Sequence, residues 1–218
     1  MLNTTFMIEY APLYGKALWL VLRLCFWGSL ASLAIGFFCA LIRYFKLPAL
    51  SKICGAYIEL SRNTPLVIQL FFLYFALPRI GVKIDSWSCA VIGLSFLGGS
   101  YMSEAFRGGL EAIGKGQTEA GLSIGLSRAQ LIRYVILPQA LAVSVPALGA
   151  NVIFLLKETS VVGIVALADL MYVAKDLIGM YYKTNESLLM LVASYLVVLL
   201  PISILMRVIE KKLRAGGF

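Results

Sequence analysis

The chain has 218 residues, of which 61% are hydrophobic and only 14% charged, with a formal net charge of +8 and a mean hydropathy of +0.89. A soluble domain is nearer half apolar and a quarter charged, so the composition excludes a soluble enzyme or binding module and points to an integral membrane protein. The excess of positive charge then speaks of membrane sidedness and not of nucleic acid.

Histidine is absent, which removes the commonest metal ligand and general base. Cys25, Cys39, Cys54 and Cys89 have no paired spacing and read as small buried hydrophobes. No metal or cofactor is expected. The first residues show neither a basic leader nor a small-residue cleavage site before the first apolar run, so that run is expected to be retained.

A membrane-spanning helix needs about 20 mainly apolar residues. Taken in order, the first candidate runs from about Ala17 to Tyr44. Its Gly28, Ser32 and Gly36 recur every four residues, a small-residue face suited to close helix packing, and Arg23 near its start can snorkel outward. The second must run from about Ile53 to Leu77 and carry Glu59, Arg62 and Asn63 with it. A charge at mid-bilayer costs at least about 2.5–3.5 kcal/mol, so these residues face protein or water, and Pro65 suits a half-helix that begins at Leu66 after irregular chain. The third candidate, about Trp87 to Ala105, is rich in Gly and Ser. The fourth runs from about Val135 to Leu156, with Pro138, Pro146 and Asn151, and the fifth from about Leu188 to Val208, with Pro201. Val161 to Val173 is apolar but too short to span, and reads as a re-entrant or interfacial helix. The expected architecture is therefore all-α: five transmembrane helices plus a short non-spanning helix, one domain over 1–218.

Five spans put the termini on opposite sides. Arg43, Lys46 and Lys52, then Arg107, Lys115, Arg128 and Arg133, then Arg207, Lys211, Lys212 and Arg214 share one side by parity. On the other side, Arg79 and Lys83 are offset by Asp85, and Lys175 and Lys183 by Asp169, Asp176 and Glu186. The basic side is cytoplasmic, which sets the N-terminus outside and the C-terminus inside.

The loop over about 107–134 holds a polar stretch from Gly114 to Arg128. Read as a helix, Gly121 and Gly125 fall on one small-residue face, and Glu119 sits near a start where the dipole favours a carboxylate by about 0.3–1 kcal/mol. Spacing alone leaves two readings open, an ordinary loop helix and a helix that lets another protein approach its backbone. Elsewhere, Glu59 and Arg62 are three apart and can pair, as can Glu104 and Arg107. Asn151, Lys157, Glu158, Thr159 and Ser160 are polar groups where the fourth span ends, and such helix ends typically line cavities. Structural ion pairs and interfacial anchors are the competing reading. Gly109-x-x-x-x-Gly114-Lys115 imitates the start of a phosphate-binding loop, but Gly116 follows where Ser or Thr is needed and no strand precedes it.

Five blocks resemble the permeases of polar amino-acid ABC importers, in order and over nearly the whole chain. They are Arg62-Asn63-Thr64-Pro65-Leu66 with Gln69-Leu70-Phe71-Phe72, Tyr101 through Gly109, Lys115 through Gly121 with Gly125, Leu137-Pro138-Gln139-Ala140, and Leu156 through Ser160. The third is similar to the cytoplasmic "EAA" loop of that family. The resemblance implies a type I, binding-protein-dependent importer in a bacterial inner membrane. Two permeases, identical or related, form the pore; two cytoplasmic ATPase subunits dock on the coupling helices; an extracytoplasmic binding protein delivers an amino acid. ATP would be hydrolysed by the partner subunit. Gln117 to Gly125 would be the coupling helix, with Gln117, Glu119, Ala120, Gly121 and Gly125 at the docking surface. Arg62, Glu104, Asn151, Lys157, Glu158, Thr159 and Ser160 are the candidate path residues. Gly121 stands where the family usually has Ala, Asn63 where it has Gly, and Glu158 where Asp is commoner. A self-sufficient secondary transporter or channel for small polar solutes is the alternative.

Overall fold

The computed structural model describes residues 2–215 and, among these, all regular secondary structure is helical, with no strands. Met1 and 216–218, part of the domain expected over 1–218, lie outside the described residues, as does the side chain of Arg214 in the basic tail. Among the described residues nine α-helices follow in chain order: α1 Thr4–Tyr44, α2 Pro48–Arg62, α3 Leu66–Phe71, α4 Ser86–Glu111, α5 Lys115–Ser123, α6 Arg128–Leu131, α7 Leu137–Glu158, α8 Leu170–Tyr181 and α9 Thr184–Ala215. Three helical stretches are long and apolar enough to cross a membrane by themselves: Thr4–Tyr44, Arg128–Val165 and Thr184–Lys212. Pro48–Arg62 with Leu66–Ile80 makes a fourth if that pair, bent by 102°, counts as one span.

α1 is much longer than its apolar run. Its 41 residues extend about 62 Å at 1.5 Å per residue, twice a hydrocarbon core. The added N-terminal turns carry Glu9, Pro12 and Lys16, and what holds them is packing. Phe6 stacks near Tyr10 and Tyr181, the Tyr14 hydroxyl donates to the Ser187 carbonyl at 2.8 Å, and the Asn3 N–H donates to Glu186 at 2.9 Å.

α4 sits at the centre, packed on α1 along one face and α7 along another. The small-residue face of α1 does what its spacing predicts. A Cβ on Gly28 would lie 3.0 Å from Leu94, and one on Gly36 would lie 2.5 Å from the Cβ of Met102. Both residue numbers rise together, so α1 and α4 run parallel. Gly98 meets Leu155 and Gly109 meets Ala140 and Ser144, so α7 runs antiparallel to α4. With Gly and Ser at many of its buried positions, α4 trades hydropathy for close backbone approach, which a helix surrounded by protein can do.

The segment expected as one re-entrant or interfacial helix over Val161 to Val173 divides instead. Thr159–Val165 is a 3₁₀ stretch. Ala166 then turns into the left-handed region at φ 60, and α8 begins only at Leu170. The cause is Asp169, whose carboxylate caps the new helix by accepting from the Tyr172 N–H at 2.8 Å.

Candidate functional site

The polar stretch between α4 and α7 folds by local rules. Gly114 stands at the N-cap in an extended conformation, and α5 runs from Lys115 to Ser123. The helix does not reach Gly125. That residue takes φ +83, the left-handed conformation glycine tolerates best. Its N–H bonds the Leu122 carbonyl at 3.0 Å, and the Leu126 N–H bonds that of Gly121 at 3.1 Å. These are the two hydrogen bonds of a Schellman C-cap. Ser127 then opens α6 with a capping box completed by Gln130.

This geometry corrects the single small-residue face. Gly125 terminates the helix, and Gly121 is buried inside the protein, where an added Cβ would lie 2.5 Å from Leu131 Cδ1. Glu119 falls in the second turn, and no acidic residue occupies the first, so the dipole has little hold on it. Glu119, Ala120 and Gln117 are exposed, with the Gln117 side chain accepting from Gln139 at 3.4 Å. Sequence reasoning placed Leu122 and Leu126 on a face beside the glycines and passed over Ile124. Leu122 is 48% exposed and Ile124 78% exposed. For Ile124 the signal was available as an apolar residue inside a stretch already read as a water-facing loop.

The break between α2 and α3 is satisfied group by group. The Asn63 amide donates to the Glu59 carbonyl at 2.8 Å and to the Glu59 carboxylate at 3.1 Å. The Thr64 hydroxyl donates to the Leu60 carbonyl at 2.8 Å. Gln69 reaches back to the Ser61 and Thr64 carbonyls at 3.2 and 3.0 Å. The Leu60 and Ser61 carbonyls, left over at the end of α2, are thus covered by side chains of the motif itself, and Pro65 begins the new direction. Gln69 was legible only as part of a block, not as the group that pins the bend.

Arg62 does not pair with Glu59. Its guanidinium lies over the Tyr101 ring at 5.1 Å, and Tyr101 in turn packs on Phe154 with ring centroids 4.9 Å apart. The physical reason is that Asn63, one residue on, turns back to occupy the Glu59 carboxylate. The bend therefore presents one exposed cation, Arg62, on an aromatic ladder shared by α4 and α7.

Around the end of α7, Asn151, Glu158 and Ser160 are half-buried and Lys157 is exposed. Thr159 is fully buried and its hydroxyl donates to the Leu156 carbonyl at 2.7 Å. Asp169 is also fully buried, holding the Gly163 N–H and the Tyr172 N–H at 2.8 Å each. Burial pushes its carboxyl above the ordinary value, against the opposite pull of those two donors. Asp169 had been read as surface charge, although an Asp just before an apolar helical run is an N-cap signature.

Glu104 bridges two helices. It accepts from Arg107 at 2.6 and 3.1 Å, as its spacing predicts, and also from Arg43 at the end of α1. Arg107 continues to Glu111 at 2.5 Å. The C-terminal ends of α1 and α4 are thereby joined through charge. The structure thus holds three separate groupings: the capped loop with Gln117, Glu119 and Ala120; the Glu104 bridge; and the broken-helix region with Arg62 and the end of α7.

Residues 32–215 match the family described as binding-protein-dependent transport system inner membrane component. The chain is 37% identical over 193 residues to the probable amino-acid ABC transporter permease protein PatM of Vibrio harveyi, covering 87% of this chain and 86% of that one. It is 34% identical over 189 residues to the glutamine transport system permease protein GlnP of Escherichia coli K12, covering 86% of each. Among solved structures, an amino acid ABC transporter crystallised with histidines superposes with a TM-score of 0.90 at 32% identity, over 97% of this chain and 99% of that one. The inward-facing MetNI methionine transporter shares the fold, with a TM-score of 0.73 at 21% identity over 92% of this chain and 98% of that one.

Proposed function

The chain belongs to the family of binding-protein-dependent transport system inner membrane components, and from that premise we propose how its geometry serves import. It is the permease subunit of an ABC transporter, and its proposed substrate class is polar amino acids, supported by relatives named for amino-acid and glutamine transport. Two permeases, identical or related, enclose the path; two ATPase subunits dock from the cytoplasm; an extracytoplasmic binding protein supplies the ligand. α1, the bent α2–α3 pair, α4, α7 and α9 are the five spans. The N-terminus is outside and the C-terminus cytoplasmic, an orientation supported by the distribution of Lys and Arg.

One observation carries the coupling role. Ile124 and Leu122 are held out into water at 78% and 48% exposure, on a loop whose back is fixed by Gly121 against Leu131 and whose end is fixed by the Gly125 cap. Apolar side chains presented on a rigid polar loop suit a partner groove. Glu119 and Ala120 lie beside them and complete the docking face. A push on this loop is carried to the spans through α6 into α7, and through Glu104 and Arg43 between α4 and α1.

The permease breaks no bond; its two states give one path different access. Arg62 on Tyr101 and the end of α7 supply its polar groups. Lys157 and Glu158 diverge by about 100° around the helix, so one ligand is not clamped by both. Glu158 is offered to the ammonium and Arg62 or Lys157 to the carboxylate, while Asn151, Thr159 and Ser160 shape the wall.

The test is uptake into proteoliposomes holding this chain, its ATPase and its binding protein, with ATP inside and labelled amino acids outside. Accumulation that needs ATP and is lost in Glu119→Arg is the expected result. Accumulation driven by an ion gradient without ATP would overturn the importer reading in favour of a secondary transporter.

A further inference from the structure

We propose that Arg23 and the three tryptophans around it form a binding site for an anionic phospholipid. Arg23 and Arg43 bracket a stretch of α1 with no charged residue between them, about 30 Å of helix, which is the thickness of a hydrocarbon core. Arg43 meets Glu104 at one end. Arg23, at the other, is exposed and has no carboxylate in salt-bridge reach among the described residues. Its guanidinium lies 4.7 Å from the centre of the Trp87 ring. A ring face attracts the cation through its quadrupole and offers no oxygen acceptor, so the N–H donors still call for an anion.

The surroundings match the rest of a lipid. A groove of about 430 Å³ runs beside Arg23 between Trp19, Leu22, Phe26 and Ile202. A second, of about 490 Å³, runs between Trp27, Leu30, Ala34 and Trp87. Trp27 lines both, and Arg23 lines the first and lies over Trp87 of the second, so the cation adjoins two apolar channels, as a headgroup phosphate adjoins two acyl chains. Trp19 and Trp27 are 64% and 50% exposed, and Trp rings favour the headgroup level. A guanidinium at that level with no protein counter-ion is complementary to phosphate, which it can hold through two parallel N–H bonds.

The chain has only three tryptophans, and all three lie at this site, so its intrinsic fluorescence reports the site alone. The purified full-length chain, reconstituted with either brominated phosphatidylglycerol or brominated phosphatidylcholine in a non-quenching background, should be quenched by the anionic lipid at about fivefold lower mole fraction, the gain for one cation near an anionic surface. Arg23→Gln should equalise the two lipids. Arg23→Lys, which keeps the charge, should retain the preference and thereby separate loss of the anion from loss of fold. Equal quenching of the wild type by both lipids would overturn the proposal, as would a preference that survives Arg23→Gln. Abolition of the preference by millimolar inorganic phosphate would assign the cation to a soluble anion instead.

Discussion

Replacing Gly36 by Ala should wedge α1 away from α4. An added Cβ would fall 2.5 Å from the Met102 Cβ, 2.7 Å from the Ser103 nitrogen and 2.8 Å from the Met102 carbonyl carbon. Carbon contacts are comfortable at about 3.5–4.0 Å. None of the three atoms is the far end of a flexible side chain, so relief requires the helices to part by about 1 Å. Overpacking of this kind costs about 1–3 kcal/mol. For a chain of this size each kcal/mol is about 2–4 °C of melting temperature, so a fall of about 2–12 °C is expected. The control is Gly15→Ala in the same helix, where nothing lies within 4 Å of the new atom and Ala gains about 1 kcal/mol of helix propensity. Thermal unfolding of the purified chain in detergent, followed by tryptophan emission, separates the two. If Gly36→Ala melted with the wild type or rose alongside Gly15→Ala, the parallel α1–α4 seam described here would be wrong.

Gly125→Ala should cost about 1–2 kcal/mol locally, because φ +83 places a Cβ against its own carbonyl; binding-protein-stimulated ATP hydrolysis in the assembled complex should fall, and unchanged stimulation would deny that the cap aims the loop. Ile124→Asp removes the most exposed apolar projection of the loop and should weaken co-purification of the ATPase subunit while the permease still inserts; retention of the ATPase at wild-type stoichiometry would count against the docking face. Asp169 has a raised folded-state pKa through burial, so its stabilising contribution is fully present below the ordinary carboxylate value and is lost as pH rises through the folded value. Asp169→Asn should therefore flatten the fall in melting temperature over that pH window, and an unaltered slope would show that another group sets it.

Hydropathy alone marked out the long apolar helices α1, α7 and α9, because the cost of burying charge in hydrocarbon depends on composition and not on neighbours. Pro65 announced the break in the second span, and the spacing of Gly28, Ser32 and Gly36 announced a close seam, since both act through local backbone geometry. The loop around Glu119 could be recognised from its blocks, and its Gly, Ser and Gln caps obey rules of a few residues' range. Partnership through space was another matter. Locally only the Asn3 cap, accepting from the Phe6 N–H, favours a helix over Thr4 to Lys16; Tyr181, Glu186 and Ser187, far along the chain, hold those turns. Spacing offered Glu59 to Arg62, and the fold gave it to Asn63 and left Arg62 on Tyr101. Gly121 looked like an open face until Leu131 closed it, and Glu104 gained Arg43 because α1 and α4 end together. Each polar or small side chain takes whichever neighbour the packing of distant helices brings within a few ångströms. The sequence by itself therefore determined the membrane class, the break at Pro65 and the family, and the tertiary structure decided the partners and the break at Ala166.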